Sequence, residues 1–177
     1  MSKANSKKKT QTYLESLTKE ELINLILKFA PPTFLDSIDS QFAGQGEAML
    51  IFKEASEAIN NILSDESLLY SPSEFERKLL KQIEKIRGLW DKLPSQIGDL
   101  IIKIIQDVEQ AFEDGYLYIE HYGEEDEYFE SEDLNDYILS FTSSLSKDMK
   151  SSYSKKLKKV INNCGYSTFS SIEKKLS

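Results

Sequence analysis

The amino-acid sequence predicts an all-α protein, either an irregular bundle or a short α-solenoid of seven to eight antiparallel helices. Only four prolines and seven glycines interrupt the 177 residues. Between them, apolar residues recur three or four positions apart, which is the period of a helix, and no segment longer than a few residues alternates as a strand does. The predicted helix starts are unevenly spaced, so the sequence reveals no repeat of fixed length.

The first predicted helix lies in LTKEELINLILKFAPP, where Thr18 and Glu21 match a capping box and Pro31 ends the apolar stripe. A shorter helix follows and stops before AGQGE. Two glycines so close together have a high backbone-entropy cost in a helix, which predicts a hinge at residues 43–46.

This hinge suggests a domain organisation. Residues 1–12 are expected to be a disordered tail. Residues 13–177 are expected to form a single helical domain, in which residues 13–42 are a small N-terminal cap.

The next two helices have clear start and stop signals in the sequence. The helix that begins near residue 46 ends in the polar turn SDES. Ser71 and Glu74 match a second capping box, and Pro72 suits the first position of the helix. The stripe of that helix runs on to Ile86 and Trp90, which are therefore predicted to lie in the shared core.

A strongly apolar helix follows DKLPS and is predicted to continue to Gly115, or as far as Tyr122. Tyr116 and Ile119 extend its stripe at helical spacing, so the segment YLYIE is not interpreted as a strand. Three more helices are predicted to begin near residues 131, 147 and 167.

The charges are distributed unevenly along the chain. The net charge is −8, and residues 104–146 carry 13 Asp and Glu but no Lys or Arg. Such a segment repels phosphate backbones, so nucleic acid is not an expected partner. A single cysteine and the absence of a long apolar run predict a cytoplasmic protein that does not associate with membranes.

The stretch EDGYLYIEHYGEEDEYFESEDLNDY combines eleven carboxylates with five tyrosines. A purely solvating acidic segment has few aromatic residues, whereas tyrosines provide contact area for a partner. One interpretation is therefore a surface for a basic protein, and the other is a solvated segment neutralised by the C-terminal lysines. The candidate binding residues are Tyr118, Tyr122, Glu124, Glu125, Asp126, Glu127 and Tyr128.

Catalysis and metal binding have weaker support in the sequence. No catalytic residues and no cofactor are predicted, because the single histidine lies far along the chain from the single cysteine and a glycine-rich phosphate loop is missing. Glu120, His121 and Glu124 are an alternative metal-binding set. A metal-dependent enzyme that uses carboxylates of residues 107–136, Asp107 among them, is the alternative to a non-enzymatic interaction or scaffold module.

The segments SLTKEELINLILKFA, GEED, SEDLNDY and GYSTF, together with the long central helices, resemble the helical region that accompanies SWIM zinc fingers in uncharacterised bacterial proteins. The resemblance covers residues 14–177. It implies a helical fold without a biochemical activity. The zinc-finger cysteines and histidine are absent, and the Asp-Asp-Ser turn of that family is replaced by Glu125-Asp126-Glu127 or Glu132-Asp133.

Overall fold

A computed structural model describes residues 12–120, 126–163 and 168–175, apart from the side chains of Ser37, Glu173 and Lys174. The predicted all-α fold class is confirmed. Residues 1–11 of the predicted disordered tail lie outside the described residues. Within the described ranges, the elements are α1 (Lys19–Phe29), α2 (Pro32–Phe42), α3 (Gln45–Leu63), α4 (Glu66–Leu69), α5 (Pro72–Lys85), a 3₁₀ turn (Arg87–Leu89), α6 (Pro94–Glu113), β1 (Tyr118–Ile119), β2 (Glu127–Tyr128), α7 (Glu132–Ser144), α8 (Lys147–Asn163) and α9 (Ser170–Lys175).

The chain divides into two compact units, with the boundary after Asp36. In the first unit, the capping box predicted for α1 is confirmed: the Glu21 backbone N–H donates to Thr18 Oγ1 at 3.2 Å, and the Thr18 N–H donates to Glu21 Oε2 at 2.8 Å. None of the residues of α1, all of which the structure describes, is buried.

The predicted hinge at residues 43–46 coincides only partly with a break between helices. Gly44 is the N-cap residue of α3, whereas Gly46 lies inside its first turn. A hinge role for these residues, and a cap made of residues 13–42, stay predictions.

The second unit has one continuous apolar core, to which α6 contributes along most of its length. Helix α6 contacts α3 and α8, and α5 contacts α3. The wide apolar face of α6 is explained by these neighbours, because a helix packed on more than one side needs more than one apolar stripe. Ile97, Ile101, Ile104, Ile105 and Val108 are almost completely buried.

The end of α5 differs from the prediction, and of the two core residues predicted there Ile86 is buried whereas Trp90 is only partly buried. The helix ends at Lys85, and a 3₁₀ turn follows. Ile86 is 1% exposed, which confirms its core position. Trp90 is half-buried against the core, and its indole N–H donates to the hydroxyl of Tyr137 at 2.9 Å.

The capping box predicted at Ser71 is wrong. The Ser71 side chain makes no capping hydrogen bond to the described residues, and Glu74 instead contacts Lys78 at 3.0 Å. The backbone N–H of Ser73 donates to Glu127 Oε1 at 3.0 Å. A carboxylate from a distant segment therefore satisfies the N-terminus of α5, which local spacing cannot reveal.

The prediction that α6 reaches Gly115 holds to within two residues, whereas its extension to Tyr122 is wrong. The helix ends at Glu113, because Gly115 adopts a positive φ of 84°. The N–H groups of Gly115 and Tyr116 then donate to the carbonyl oxygens of Phe112 and Ala111, respectively. This is a Schellman motif, in which glycine takes the left-handed position at no steric cost.

Tyr116 and Ile119 consequently do not continue the stripe of α6, and the interpretation of YLYIE as non-strand is wrong. Tyr118–Ile119 pairs antiparallel with Glu127–Tyr128. The helix α4 also forms where only a polar turn was predicted, and Asp65 caps it by accepting a hydrogen bond from the Ser67 N–H.

Among the residues that the structure describes, the helices are all too short or too polar to cross a membrane.

Candidate functional site

The two-stranded sheet directs two tyrosines to solvent. Tyr118 and Tyr128 are direct partners across the strands, and their side chains are 51% and 54% exposed. Ile119 and Glu127, the other pair, are partly buried. Successive residues of a strand point to opposite faces, so both tyrosines share the outer face. The Tyr118 hydroxyl donates to Asp126 Oδ2 at 2.8 Å. We call Tyr118, Asp126 and Tyr128 the tyrosine face.

Buried residues next to the strands fix the position of the tyrosine face. Leu117 precedes β1 and Phe129 follows β2; they are 0% and 3% exposed. The Leu117 N–H donates to the Leu69 carbonyl, and the Phe129 N–H donates to the Leu117 carbonyl, both at 3.0 Å. The ring of Phe129 lies edge-on to that of Phe75, with centroids 5.8 Å apart.

Leu117 adopts a backbone conformation that its side chain disfavours. Its φ is 61°, in the left-handed region where residues other than glycine, asparagine and aspartate are uncommon. Such conformations cost about 1–3 kcal/mol and persist when the surroundings over-determine them. Complete burial of the Leu117 side chain and the two backbone hydrogen bonds supply that constraint. Leu117 therefore connects the sheet to α4 and to the core.

Glu127 serves the fold and not the exposed face. Its carboxylate accepts the hydrogen bond from Ser73 N in the first turn of α5. A negative charge at this end of a helix also interacts favourably with the helix dipole. Among the predicted binding residues, Glu127 is thus directed into the molecule, whereas its strand neighbour Tyr128 is directed outward.

Tyr128 borders two open clefts. One, of about 580 Å³, runs between β2 and the helices α7 and α9, and Glu130, Glu132 and Asp136 line it together with Lys175. The other, of about 400 Å³, lies between β2 and α5. The second cleft is lined by Ser73, Glu76, Arg77, Leu80, Tyr128, Glu130 and Asp133. Carboxylates therefore flank Tyr128 on both sides.

Glu76 has the most perturbed carboxyl group beside the sheet. It accepts a hydrogen bond from the Glu130 N–H at 3.1 Å. Partial burial raises the pKa of Glu76 to about 7, and the charges of Glu130 and Asp133 act in the same direction. The hydrogen bond to the carboxylate opposes this rise without cancelling it.

A second pair of tyrosines, Tyr70 and Tyr116, follows the C-terminal ends of α4 and α6. Tyr70 is 61% exposed, and its ring packs edge-on to that of Tyr116 at 5.1 Å. The charges of Tyr70 and Glu66 raise the pKa of Tyr116. Tyr70 lies outside the predicted acidic segment, and the solvent exposure of an aromatic residue next to a helix end has no local sequence signal.

The structure brings together only some of the predicted site residues. Tyr118, Asp126 and Tyr128 form one exposed face. Tyr122, Glu124 and Glu125 lie outside the described residues, so their predicted role stays a prediction. Glu76 was not predicted, and Glu130 was included only among the carboxylates of residues 107–136, because their contact joins residues 54 positions apart.

Of the alternative metal-binding set, the structure describes only Glu120, which is exposed. His121 and Glu124 lie outside the described residues. Asp107 forms an ion pair with Lys103 on α6. Within the described ranges, no three His, Cys, Asp or Glu side chains are grouped so that they could hold a metal ion. The metal-dependent enzyme thus stays a sequence-based alternative.

The C-terminal lysines were expected to neutralise the acidic segment or to face solvent. Lys175 lines the cleft together with Glu130, Glu132 and Asp136, whereas Lys156 donates to Asp99 on α6 at 2.6 Å. This ion pair joins α8 to α6, away from the tyrosine face.

Comparison with protein-family models, with curated proteins and with solved structures found no match to this chain.

Proposed function

We propose that the protein is a non-enzymatic interaction module whose tyrosine face binds a basic segment of another protein. The observation that carries the proposal is the pair of opposed, half-exposed tyrosines, Tyr118 and Tyr128, on a sheet anchored by buried neighbours. A tyrosine side chain has only two side-chain dihedrals to order when a partner binds, so more of the contact energy appears as affinity.

The chemistry of this face suits a cationic partner. Tyrosine rings attract Lys and Arg side chains through cation–π contacts of about 0.5–2 kcal/mol each. Asp126 lies at the face, and Glu130 and Glu132 border the cleft beside Tyr128. These carboxylates would draw a basic segment toward the rings and orient it.

The proposal can be tested with labelled peptides of equal length that alternate glycine with Lys, Arg or Glu. Fluorescence anisotropy should show binding of the Lys and Arg peptides and not of the Glu peptide. The affinity should fall as ionic strength rises from about 0.01 to about 0.15 M, because the Debye length shrinks from about 30 to about 8 Å.

Matched variants distinguish the contribution of the tyrosine rings to binding from that of the negative charges. Tyr118→Ser with Tyr128→Ser should weaken binding about tenfold, which corresponds to about 1.4 kcal/mol. Tyr13→Ser, which removes another half-exposed tyrosine (56%), should leave binding unchanged. Equal affinity of the double variant and the native protein for the Arg peptide, or binding of the Glu peptide, would contradict the proposal.

Charge variants must leave Glu127 intact, since its loss would remove the cap of α5. Asp126→Asn with Glu130→Gln should reduce both the affinity and its salt dependence. Glu54→Gln with Glu57→Gln removes the same charge from exposed positions of α3 and serves as the control. If both pairs weaken binding equally, only net charge matters and the face has no special role.

A further inference from the structure

One side of α1 carries apolar side chains that are exposed to solvent. Ile23 and Leu27 lie four positions apart, so they share one side of the helix, and they are 45% and 64% exposed. The neighbouring Leu22, Leu25 and Ile26 are partly buried. An isolated helix of 11 residues is marginal in water, and helices of this length depend on packing of their apolar side chains. We call Ile23 and Leu27 the apolar row of α1, and its exposure makes it a candidate contact surface.

A polar row lies beside the apolar row and carries opposite charges at its two ends. Glu20, Asn24 and Lys28 also follow one another at four-residue spacing. Glu20 lies in the first turn of α1 and Lys28 in the last. The Lys28 ammonium lies 5.3 Å from the ring centre of Phe29, and within the described ranges neither Glu20 nor Lys28 has an ion-pair partner. The helix contains two lysines and two glutamates, so its side chains carry no net charge.

We propose that α1 is a self-association surface, on which the α1 helices of two copies of this chain pack antiparallel about a two-fold axis with their apolar rows in contact. The partner is thus a second copy of the chain. This surface extends beyond the proposed function and is independent of the tyrosine face, since α1 belongs to the first compact unit and the tyrosine face to the second.

The charges of α1 complement one another in such an antiparallel pair. Ile23 of each copy faces Leu27 of the other. Lys28 then lies two residues along the axis from Glu20 of the second copy, which is about 3 Å at the helical rise of about 1.5 Å per residue. The two-fold axis produces this pair twice, whereas parallel packing would place each charge beside its own copy and align the helix dipoles. A two-fold interface must be complementary to itself, and α1 meets this condition in the antiparallel arrangement.

The charge of α1 also favours a second copy over a membrane surface. Helices that lie on membranes are rich in Lys and Arg along their polar side, whereas the polar row of α1 contains Glu20 and Asn24 beside its single lysine. The chain carries a net charge of −8, so many parts of its surface repel a second copy. The neutral α1 does not add to that repulsion.

Sedimentation equilibrium of the full chain between about 1 μM and about 1 mM tests the proposal. The native chain should show a reversible equilibrium between monomer and dimer. Ile23→Gln with Leu27→Gln should raise the dimer dissociation constant at least about tenfold, because two apolar side chains of each copy leave the contact. Met49→Gln with Leu50→Gln, which removes exposed apolar side chains from α3, should leave the constant unchanged. Circular dichroism should show the native helix content in both double variants.

Exchange of the two charges tests the antiparallel orientation. Lys28→Glu and Glu20→Lys should each weaken their own dimer about three- to tenfold, because each variant places like charges opposite one another. An equimolar mixture of the two variants should regain the native affinity, since both ends of a mixed antiparallel dimer then join opposite charges. Weakening that the mixture does not relieve would overturn the antiparallel pairing.

The proposal would also be overturned by a native chain that stays monomeric up to about 1 mM. Equal weakening of the dimer by the double variants of α1 and α3 would show that the apolar row has no special role. Binding of a monomeric native chain to vesicles of phosphatidylcholine and phosphatidylserine would assign the apolar row to a membrane surface instead.

Discussion

The ammonium group of Lys92 donates a hydrogen bond to the backbone carbonyl oxygen of Ala43 at 2.6 Å. The same nitrogen donates to the carbonyl oxygens of Gln41 at 2.7 Å and Ser40 at 3.0 Å. The last carbonyl groups of a helix have no partner within the helix, and they carry its negative dipole end. Lys92 therefore caps the C-terminal end of α2 from a position about fifty residues away in sequence.

Replacement of Lys92 by Met should lower the free energy of unfolding by about 1.5–3 kcal/mol, the range for hydrogen bonds to a charged group. Methionine retains the apolar stem and leaves the three carbonyl oxygens without this donor. Urea denaturation measures the change. Lys81→Met, at an exposed position of α5, should stay within about 0.5 kcal/mol of the native value. Equal effects of the two variants would show that the capping contact does not contribute.

The hydrogen bond between Trp90 and Tyr137 is suited to a double-mutant cycle. Their rings are also in edge-on contact, with centroids 5.2 Å apart, and Tyr137 is 2% exposed. Tyr137→Phe and Trp90→Phe should each cost about 1–3 kcal/mol, because each leaves a polar partner unsatisfied. The double variant should cost less than the sum of the single variants. Strict additivity would contradict a direct energetic coupling.

Replacement by alanine should change the stability of the protein in opposite directions at Gly98 and at Gly46. A Cβ atom at Gly98 would lie 3.0 Å from Cε2 of Tyr153, so Gly98→Ala should destabilise the protein by about 1–3 kcal/mol. At Gly46, a Cβ atom would meet no described atom within 4 Å. Gly46→Ala should raise stability by about 0.4–1 kcal/mol, because the unfolded chain loses freedom. Thermal and urea unfolding should agree on both signs; stabilisation by Gly98→Ala would refute the packing of α6 against α8.

Because of Glu109, the free energy of unfolding should decrease as the pH rises into the alkaline range. Glu109 is 3% exposed on α6, where burial raises its pKa even though the hydroxyl of Thr168 and the N–H groups of Thr168 and Phe169 donate to it. A raised carboxyl pKa contributes stability that is present below about pH 4.5 and is lost as the pH rises through the folded-state value. The free energy of unfolding should therefore be lower at about pH 8 than at about pH 5.5.

Glu109→Gln should reduce that decrease, and Glu54→Gln, at an exposed position of α3, should not. Because Glu76 acts in the same direction, combining Glu109→Gln with Glu76→Gln should flatten the profile further. An unchanged profile in Glu109→Gln would mean that its carboxyl group titrates normally.

The sequence alone determined the helical fold class, because apolar spacing and helix stop signals act within a few residues. Helices begin within a few residues of each of the eight predicted starts, and the capping box of Thr18 and Glu21 forms as predicted. The core position of Ile86 follows from the same periodicity. The end of α6 just before Gly115 also follows from the sequence, since glycine is the usual residue in the left-handed position of a Schellman motif.

Contacts between segments that are distant in sequence determined where the residues of the candidate site lie. Tyr116 and Ile119 fit a helical stripe, but Gly115 ends the helix before them, and the backbone contacts of Leu117 with Leu69 and Phe129 then hold the chain in the sheet. Glu127 caps α5, and Glu76 receives the Glu130 N–H, each across 54 residues of chain. A carboxylate has the same local sequence signal whether it faces solvent, caps a distant helix or shares a cleft with other acids. The choice among these depends on which segments fold against it, and that choice leaves Tyr118 and Tyr128 exposed together.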